Sequence, residues 1–511
     1  MLSRRDFIRL AGAAGLTVRL PGGLSAADPK TQALCEKLKS DPLRPQFHLL
    51  PAHNWMNDPN GPIFFNGKYH LFHQYNPGAA VWGDMHWAHA TSPDMVFWKN
   101  EPVAISPTPE GFDRDGVFSG HAVLDHGTPT VIYTGVMPPA NDAEATLRDG
   151  KHTWREVQCL ATSRDPDLRT WQKLPEPVLA KPPAGLDVTG FRDPCVWPEG
   201  DAWMLTLGSG IRGKGGIVLL YTSPDLRRWT YLHPLIEGGA SGLKTTNPVD
   251  TGDMWECPDF FQLGKKHVLL VSTQGKVLWK VGTYKDQRFS PEKEGVVDWG
   301  SYYAAKSTLD QEGNRILWGW IPETRPEAEH SAAGWAGVMG LPRVLTLNEN
   351  DELQMEVLSA VQKLRTKTRI DTKKPGSATL QTLRIHDLSA ELLFDYKPAA
   401  DASFVLSFVS ETGETFATIR CNPTSAGREL QVGNVKAAIS ADPAKPIQLH
   451  LYLDGSVLEV FVNRTTVLTA RVYQHVSTPL RIVHEGAEPS DLRVWQIKPI
   501  SNNRLTSPLC D

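Results

Sequence analysis

Three short stretches set a carboxylate one or two residues ahead of a proline: Asn57-Asp58-Pro59, Arg192-Asp193-Pro194 and Glu256-Cys257-Pro258. Carboxyl groups held close together can divide a reaction between them. One acts ionised as nucleophile or base, and the other acts protonated as the acid. Taken alone, "WMNDPNG" around Asp58 is turn chemistry. Asn, Asp and Gly tolerate unusual backbone angles and Pro fixes one, so the stretch fits a strand end running into a hairpin tip. Whether Asp58 bends the chain or does chemistry depends on the elements that carry the three acids.

Helical periodicity is scarce after about residue 45, where short β-branched and aromatic runs alternate with Gly, Pro and Asp turns. Five segments share one layout, opening near Asp58, Ser119, Asp193, Glu256 and Tyr303 in steps of 61, 74, 63 and 47 residues. Each opens on a polar or aromatic cluster, continues as an apolar strand, turns, and returns as a second apolar strand. A second echo, "TSPDMVFW", "TSRDPDLRTW" and "TSPDLRRW", puts a Ser-x-Asp turn before Trp98, Trp171 and Trp229. Four strands per repeat, repeated radially, predict a five-bladed β-propeller over residues 45–350. The first strand of each blade then lines the central channel, and residues some sixty positions apart become neighbours. Crowding of Asp58 and Asp193 is expected to raise the pKa of Glu256. Strand alternation points Cys257 away from the channel, so Cys257 and Cys195 read as core thiols.

Past residue 350 the repeat stops, and 351–369 reads as a linker with a turn and a short helix or coil. Alternating strands return over 370–505, which predicts a β-sandwich and makes the whole chain all-β. The length of 511 residues suits such a division. A formal net charge of −4 lacks the basic footprint of a nucleic-acid binder. No apolar run reaches the roughly 18–20 residues of a membrane span. Residues 1–30 read as a leader: "SRRDFIRL" pairs Arg4 with Arg5 ahead of a small-residue run, as in a twin-arginine export signal. A periplasmic or extracellular protein is expected. Six scattered cysteines with no CxxC pair argue against zinc and thioredoxin-type chemistry. Neither a metal cluster nor a phosphate loop is visible, so no cofactor is implied.

With these motifs assembled, the chain resembles glycoside hydrolase family 32, the β-fructofuranosidases. "WMNDPNG", "FRDP" and "ECPD" match the three acidic motifs of that family in order. "YHLFHQYNP", "WGDMHWAHATSPDMVFW", "FSGHAV", "RILWGWI" and "GWAGVMGLPR" match further blocks. The resemblance implies a propeller followed by a sandwich, with Asp58 as nucleophile, Glu256 as general acid/base and Asp193 stabilising the transition state. It also implies substrate contacts from Asn57, Gln74, Trp82, Phe118, Ser119, Arg192 and Trp335, with Arg192 also holding Asp193 ionised. The implied reaction releases fructose from the non-reducing ends of β-fructofuranosides. Sucrose, inulin and levan remain open as substrates, and so does the oligomeric state. A fructosyltransferase, a non-catalytic fructan-binding propeller and an arabinofuranoside hydrolase are the alternatives. Two departures from the family pattern stand near the pocket. His121 replaces the second Ser of "FSGSA", and "DWGSYYAAKS" lacks an Asp that many members carry.

Overall fold

The computed structural model describes residues 29–506 except 149–152, 239–253, 374, 376, 398, 400, 426, 440–444, 487, 488 and 503. All but the last two residues of the expected leader lie outside the described part. No helix among the described residues is long and apolar enough to cross a membrane.

Five antiparallel sheets follow one another along the chain as blades. Their inner strands are Asn54–Phe65, Gly116–Asp125, Val188–Glu199, Glu256–Leu263 and Tyr303–Leu309. These strands touch in the cyclic order first, second, third, fourth, fifth, first, so they ring a central channel. Each blade is sandwiched between two neighbours, so its second strand is buried on both faces; in Lys68–Asn76 every residue after Lys68 is buried. The Ser-x-Asp echoes are one repeated turn. Asp94 and Asp225 Oδ1 each accept two backbone N–H groups that follow them. Trp98, Trp171 and Trp229 each donate their indole N–H to the carbonyl three residues back. Those carbonyls belong to Met95, Leu168 and Leu226, all in the left-handed region at φ 62°, 55° and 61°. A side chain rarely adopts that backbone unless its surroundings fix it. The indole bond and the Asp cap supply the fixing.

The ring closes where Trp335–Ala336 pairs in parallel with Asn54-Trp55, joining the last blade to the first. Trp335 is spent on this closure. Its indole is fully buried, donates to Asp41 Oδ2 at 2.8 Å and lies beneath the Arg325 guanidinium. It therefore does not reach the channel mouth, contrary to the substrate contact expected of it.

The expected linker 351–369 shrinks to a single 3-10 turn, Ser359–Leu364. Leu353–Val357 pairs with Arg343–Leu347 as the outer strand of the fifth blade. Its Leu353, Met355 and Val357 alternate with polar residues, a period-two pattern hidden in a charge-rich stretch. Arg365–Thr372 pairs with Ser490–Ile497 and already belongs to the second domain. That domain is a sandwich of a six-stranded and a five-stranded sheet around one apolar core.

A buried ionic cluster ties the two domains. Arg343 of the fifth blade bonds Asp298 at 2.8 Å and Glu459 of the sandwich at 2.6 Å, all three fully buried. His48, ahead of the first blade, bridges Asp454 at 2.8 Å and Glu459 at 2.9 Å. Tyr302 and Phe461 cover the guanidinium with their rings. Before the first blade, helix Pro29–Ser40 carries Cys35, which is disulfide-bonded, whereas Cys159, Cys195, Cys257 and Cys421 are free.

Candidate active site

Asp58 is not at a hairpin tip. Asn-Asp-Pro-Asn-Gly lies inside strand Asn54–Phe65, and the tip falls beyond it at Asn66-Gly67, both left-handed. The turn-forming residues serve two bulges instead, one between Met56 and Pro59 and one between Asn60 and Ile63. Gly61 takes the second at φ +46°, where a Cβ would meet Ala122 of the next blade at 2.9 Å.

All five inner strands bulge near the channel mouth. The breaks fall between Met56 and Pro59, Val117 and Gly120, Arg192 and Cys195, Glu256 and Asp259, and Tyr303 and Lys306. A bulge sets two residues against one on the neighbouring strand and re-aims their side chains. Simple alternation fails at such a point. Cys257, at φ 48° like Asp193 at 65°, consequently faces the channel and not the core. Its Sγ lies 3.5 Å from both Asp58 Oδ2 and Asp193 Oδ2. Cys195, beyond the bulge, is buried as expected.

Asp58, Asp193 and Glu256 open onto a single cavity of about 390 Å³. Asn57, Gln74, Trp82, Phe118 and Arg192 share its lining. Ser119 sits just behind, fully buried. A closed ring of hydrogen bonds sets Asp58. Trp55 Nε1 donates to Asn57 Oδ1 at 2.8 Å, which fixes the orientation of that amide. Asn57 Nδ2 then donates to Asp58 Oδ1 at 3.1 Å and to Gln74 Oε1 at 3.0 Å. Gln74 Nε2 donates to Ser119 Oγ at 2.8 Å, leaving the serine proton for Asp58 Oδ2 at 2.5 Å. Asp193 is held by the Cys257 N–H at 2.9 Å and its own N–H bonds Thr134 Oγ1 at 3.0 Å.

Glu256 accepts from Arg192 Nη2 and from the Tyr303 hydroxyl, each at 2.6 Å. Arg192 Nη1 is anchored behind by Glu156, a fully buried carboxylate, at 2.9 Å. Its Nε stands 3.9 Å from Asp193, so Glu256 and Glu156 are its main partners. Burial pushes the Glu256 carboxyl up, but the Arg192 charge and the two hydrogen bonds outweigh it and hold it below the usual carboxylate range. Crowding by the aspartates does not decide its acidity, contrary to expectation. Burial raises Asp193 to about 7 against the pull of Arg192, with Asp58 and Glu256 adding to the rise, so Arg192 does not keep it ionised. Asp58 is also raised, by burial foremost and by Glu256, while Ser119 and Asn57 pull it down. The site thus pushes the two aspartates up and Glu256 down.

Five participants escaped the sequence reading. Tyr303 marked the fifth repeat opening but received no role. Trp320, within the quoted "RILWGWI", lines the cavity and packs edge-on to Trp55 at 5.9 Å. Leu147 and Trp154 reach the rim from a hairpin of the second blade. Trp154 meets Phe118 at 5.4 Å and Trp82 at 6.0 Å, so three rings wall one side. Glu156 has no motif around it and shows itself only through Arg192.

Carboxylates gathered at a propeller mouth beside aromatic walls suit a glycosidase. Residues 48–356 match the Glycosyl hydrolases family 32 N-terminal domain and residues 348–496 match the Glycosyl hydrolases family 32 C terminal, so the chain belongs to that family. It is 36% identical over 458 residues to a sucrose-6-phosphate hydrolase of Zymomonas mobilis, covering 84% of this chain and 85% of that protein. It is 32% identical to a raffinose invertase of Escherichia coli, covering 91% and 98%. The crystal structure of fructan 1-exohydrolase IIa from Cichorium intybus superposes with a TM-score of 0.75 at 27% identity, covering 90% of this chain and 98% of that one.

Proposed function

We propose that this glycosidase is a retaining, exo-acting β-fructofuranosidase that releases fructose from the non-reducing end of sucrose or fructan chains. The observation that carries the reading is the shared cavity: Asp58 on the first blade and Glu256 on the fourth face one sugar-sized space. Glu256 protonates the leaving oxygen while Asp58 attacks the anomeric carbon, giving a fructosyl ester through an oxocarbenium-like state. Having given up that proton, Glu256 is a carboxylate and takes a proton from the water that cleaves the ester. Asp193 accepts hydrogen bonds from the sugar hydroxyls. Those bonds favour its ionised form, and the proton it releases on binding is the one Glu256 requires.

Among the described residues, the cavity lining offers an aglycone Trp82, Phe118 and Trp154, and its one cation, Arg192, is already paired. The three rings give a sugar aglycone an apolar wall to pack against. The paired arginines near the N-terminus and the disulfide-bonded Cys35 support export to an oxidising compartment. Product analysis on sucrose, sucrose 6-phosphate, inulin and levan tests the reading, with Asp58→Ala as control. Fructose is expected from sucrose or a fructan, with a loss of several orders of magnitude in the variant. Unchanged rates in Asp58→Ala would refute the nucleophile, and chain elongation at high sucrose would assign a transferase.

A further inference from the structure

We propose that the opposite mouth of the propeller channel is a second ligand site, built for an uncharged, hydroxylated molecule of monosaccharide size. Beyond the bulges the inner strands run on and enclose another cavity, of about 330 Å³, which shares no lining residue with the one at the acids. That volume falls within the ~300–1,000 Å³ of small-molecule sites. His121, Asp259 and Ser307 reach it from the second, fourth and fifth blades, with Arg315 beside them.

Unmatched polar atoms identify the ligand chemistry. Asp259 and Ser307 are each 2% exposed and stand side by side, close enough for the hydroxyl to act on the carboxylate. Asp259 Oδ2, Ser307 Oγ and Arg315 Nε are buried atoms with no hydrogen-bond partner. The Val196 N–H donates to His121 Nδ1 at 3.0 Å, which places the ring proton on Nε2 as a further donor. The set thus combines an acceptor, two donors and a hydroxyl. Buried polar atoms left unpaired are costly, and hydroxyl groups, which donate and accept together, satisfy such a mixture. Trp197, half-buried and 5.2 Å from Phe260, offers the apolar face that sugar C–H groups pack against.

A metal ion fits this cluster less well, although donor atoms of His121, Cys195 and Asp259 lie within 4.8 Å of one another. Nδ1 of His121 is already bonded and Nε2 carries the proton. Burial, with Asp259 beside it, holds the Cys195 thiol up at about 12, so it is neutral and a poor ligand. Lys306 and Arg315 both act on Asp259 and repel a further cation.

The proposal is tested on the full chain by crystals soaked in fructose or glucose and by calorimetric titration with the same sugars. A sugar ordered against Asp259 and Ser307, in addition to any at the acids, is expected. Ser307→Val and Trp197→Ala should each weaken one of two binding steps by about tenfold and spare the other. Ordered water alone in the cavity, an adventitious additive only, or a single binding step unmoved by both variants would overturn it. So would stoichiometric metal found by elemental analysis and seated on His121, Cys195 and Asp259. Sucrose hydrolysis by the unmodified enzyme reports on the acid pocket separately, so failure of either reading is distinguishable.

Discussion

Replacing Tyr303 by Phe removes one hydroxyl and leaves the ring. That hydroxyl donates to Glu256 Oε2 at 2.6 Å and favours the ionised carboxylate. A hydrogen bond to a charged group is worth about 1.5–3 kcal/mol, and the lower end applies here because the Glu256 side chain is 32% exposed. Without that donor the Glu256 pKa should rise, and about 1.5 kcal/mol corresponds to roughly tenfold in its ionisation equilibrium. The productive form carries its proton on Glu256 and none on Asp58. At low pH its population depends only on how readily Asp58 ionises, and at high pH only on how tightly Glu256 holds its proton. The ratio of kcat/KM between Tyr303→Phe and the parent, measured on sucrose, should thus climb about tenfold from the acid to the alkaline arm. Any loss from poorer positioning multiplies both arms equally and drops out of this comparison. Glu156→Gln supplies the opposite sign. It releases Arg192 from its second carboxylate, lowers the Glu256 pKa further and makes the corresponding ratio fall with pH. A flat ratio in both variants, or the same slope in both, would refute the assignment of Glu256 acidity to Arg192 and Tyr303.

Ser119→Ala removes the 2.5 Å donor that holds Asp58 ionised, so kcat/KM should fall about tenfold or more at low pH and recover toward the parent value as pH rises. Trp154→Ala removes one ring of the aglycone wall, and a five- to tenfold loss in kcat/KM on sucrose is expected, with inhibition by free fructose unchanged. The interdomain cluster predicts a stability optimum. Burial pushes His48 down, but Asp454 and Glu459 raise it to about 9, so its contribution is full below pH 6.5 and is lost as pH rises through 9. Burial pushes Glu459 up, but Arg343 and His48 hold it at about 2, so its contribution is full above pH 4.5 and is lost as pH falls through 2. The melting temperature should therefore be highest between about pH 4.5 and 6.5. In His48→Gln it should drop by the equivalent of about 3 kcal/mol there, with the gap closing toward pH 9.

The propeller was legible because its repeats carry a local device that propensity alone explains, the Asp-capped turn closed by Trp98, Trp171 or Trp229. The three acids were legible because each stands one or two residues ahead of a proline at a repeat opening. What alternation could not supply was direction. Five bulges re-aim the residues at the channel mouth, and they turned Cys257 inward against the period-two reading. Trp335 misled because an aromatic in a glycine-rich stretch suits a sugar platform and a ring closure equally well, and only the parallel pairing with Asn54-Trp55 tells them apart. Glu156 and Tyr303 act through hydrogen bonds across blades, 36 and 47 residues from their partners, and no local pattern marks such contacts. The acidity of Glu256 is hidden for the same reason: adjacency in sequence pairs Arg192 with Asp193, whereas the fold sets it against Glu256.

The covalent bond to Asp58 is the central claim, and trapping it is the most direct measurement. Glu256→Gln should react normally with a fructosyl fluoride, whose departure needs no acid, and then stall because no base activates water. Peptide mass analysis after rapid quenching should find one hexosyl group on the peptide bearing Asp58, and none when Asp58→Ala is added. Fructose release by Asp58→Ala at the parent rate, or a hexosyl group on any other residue, would contradict the account.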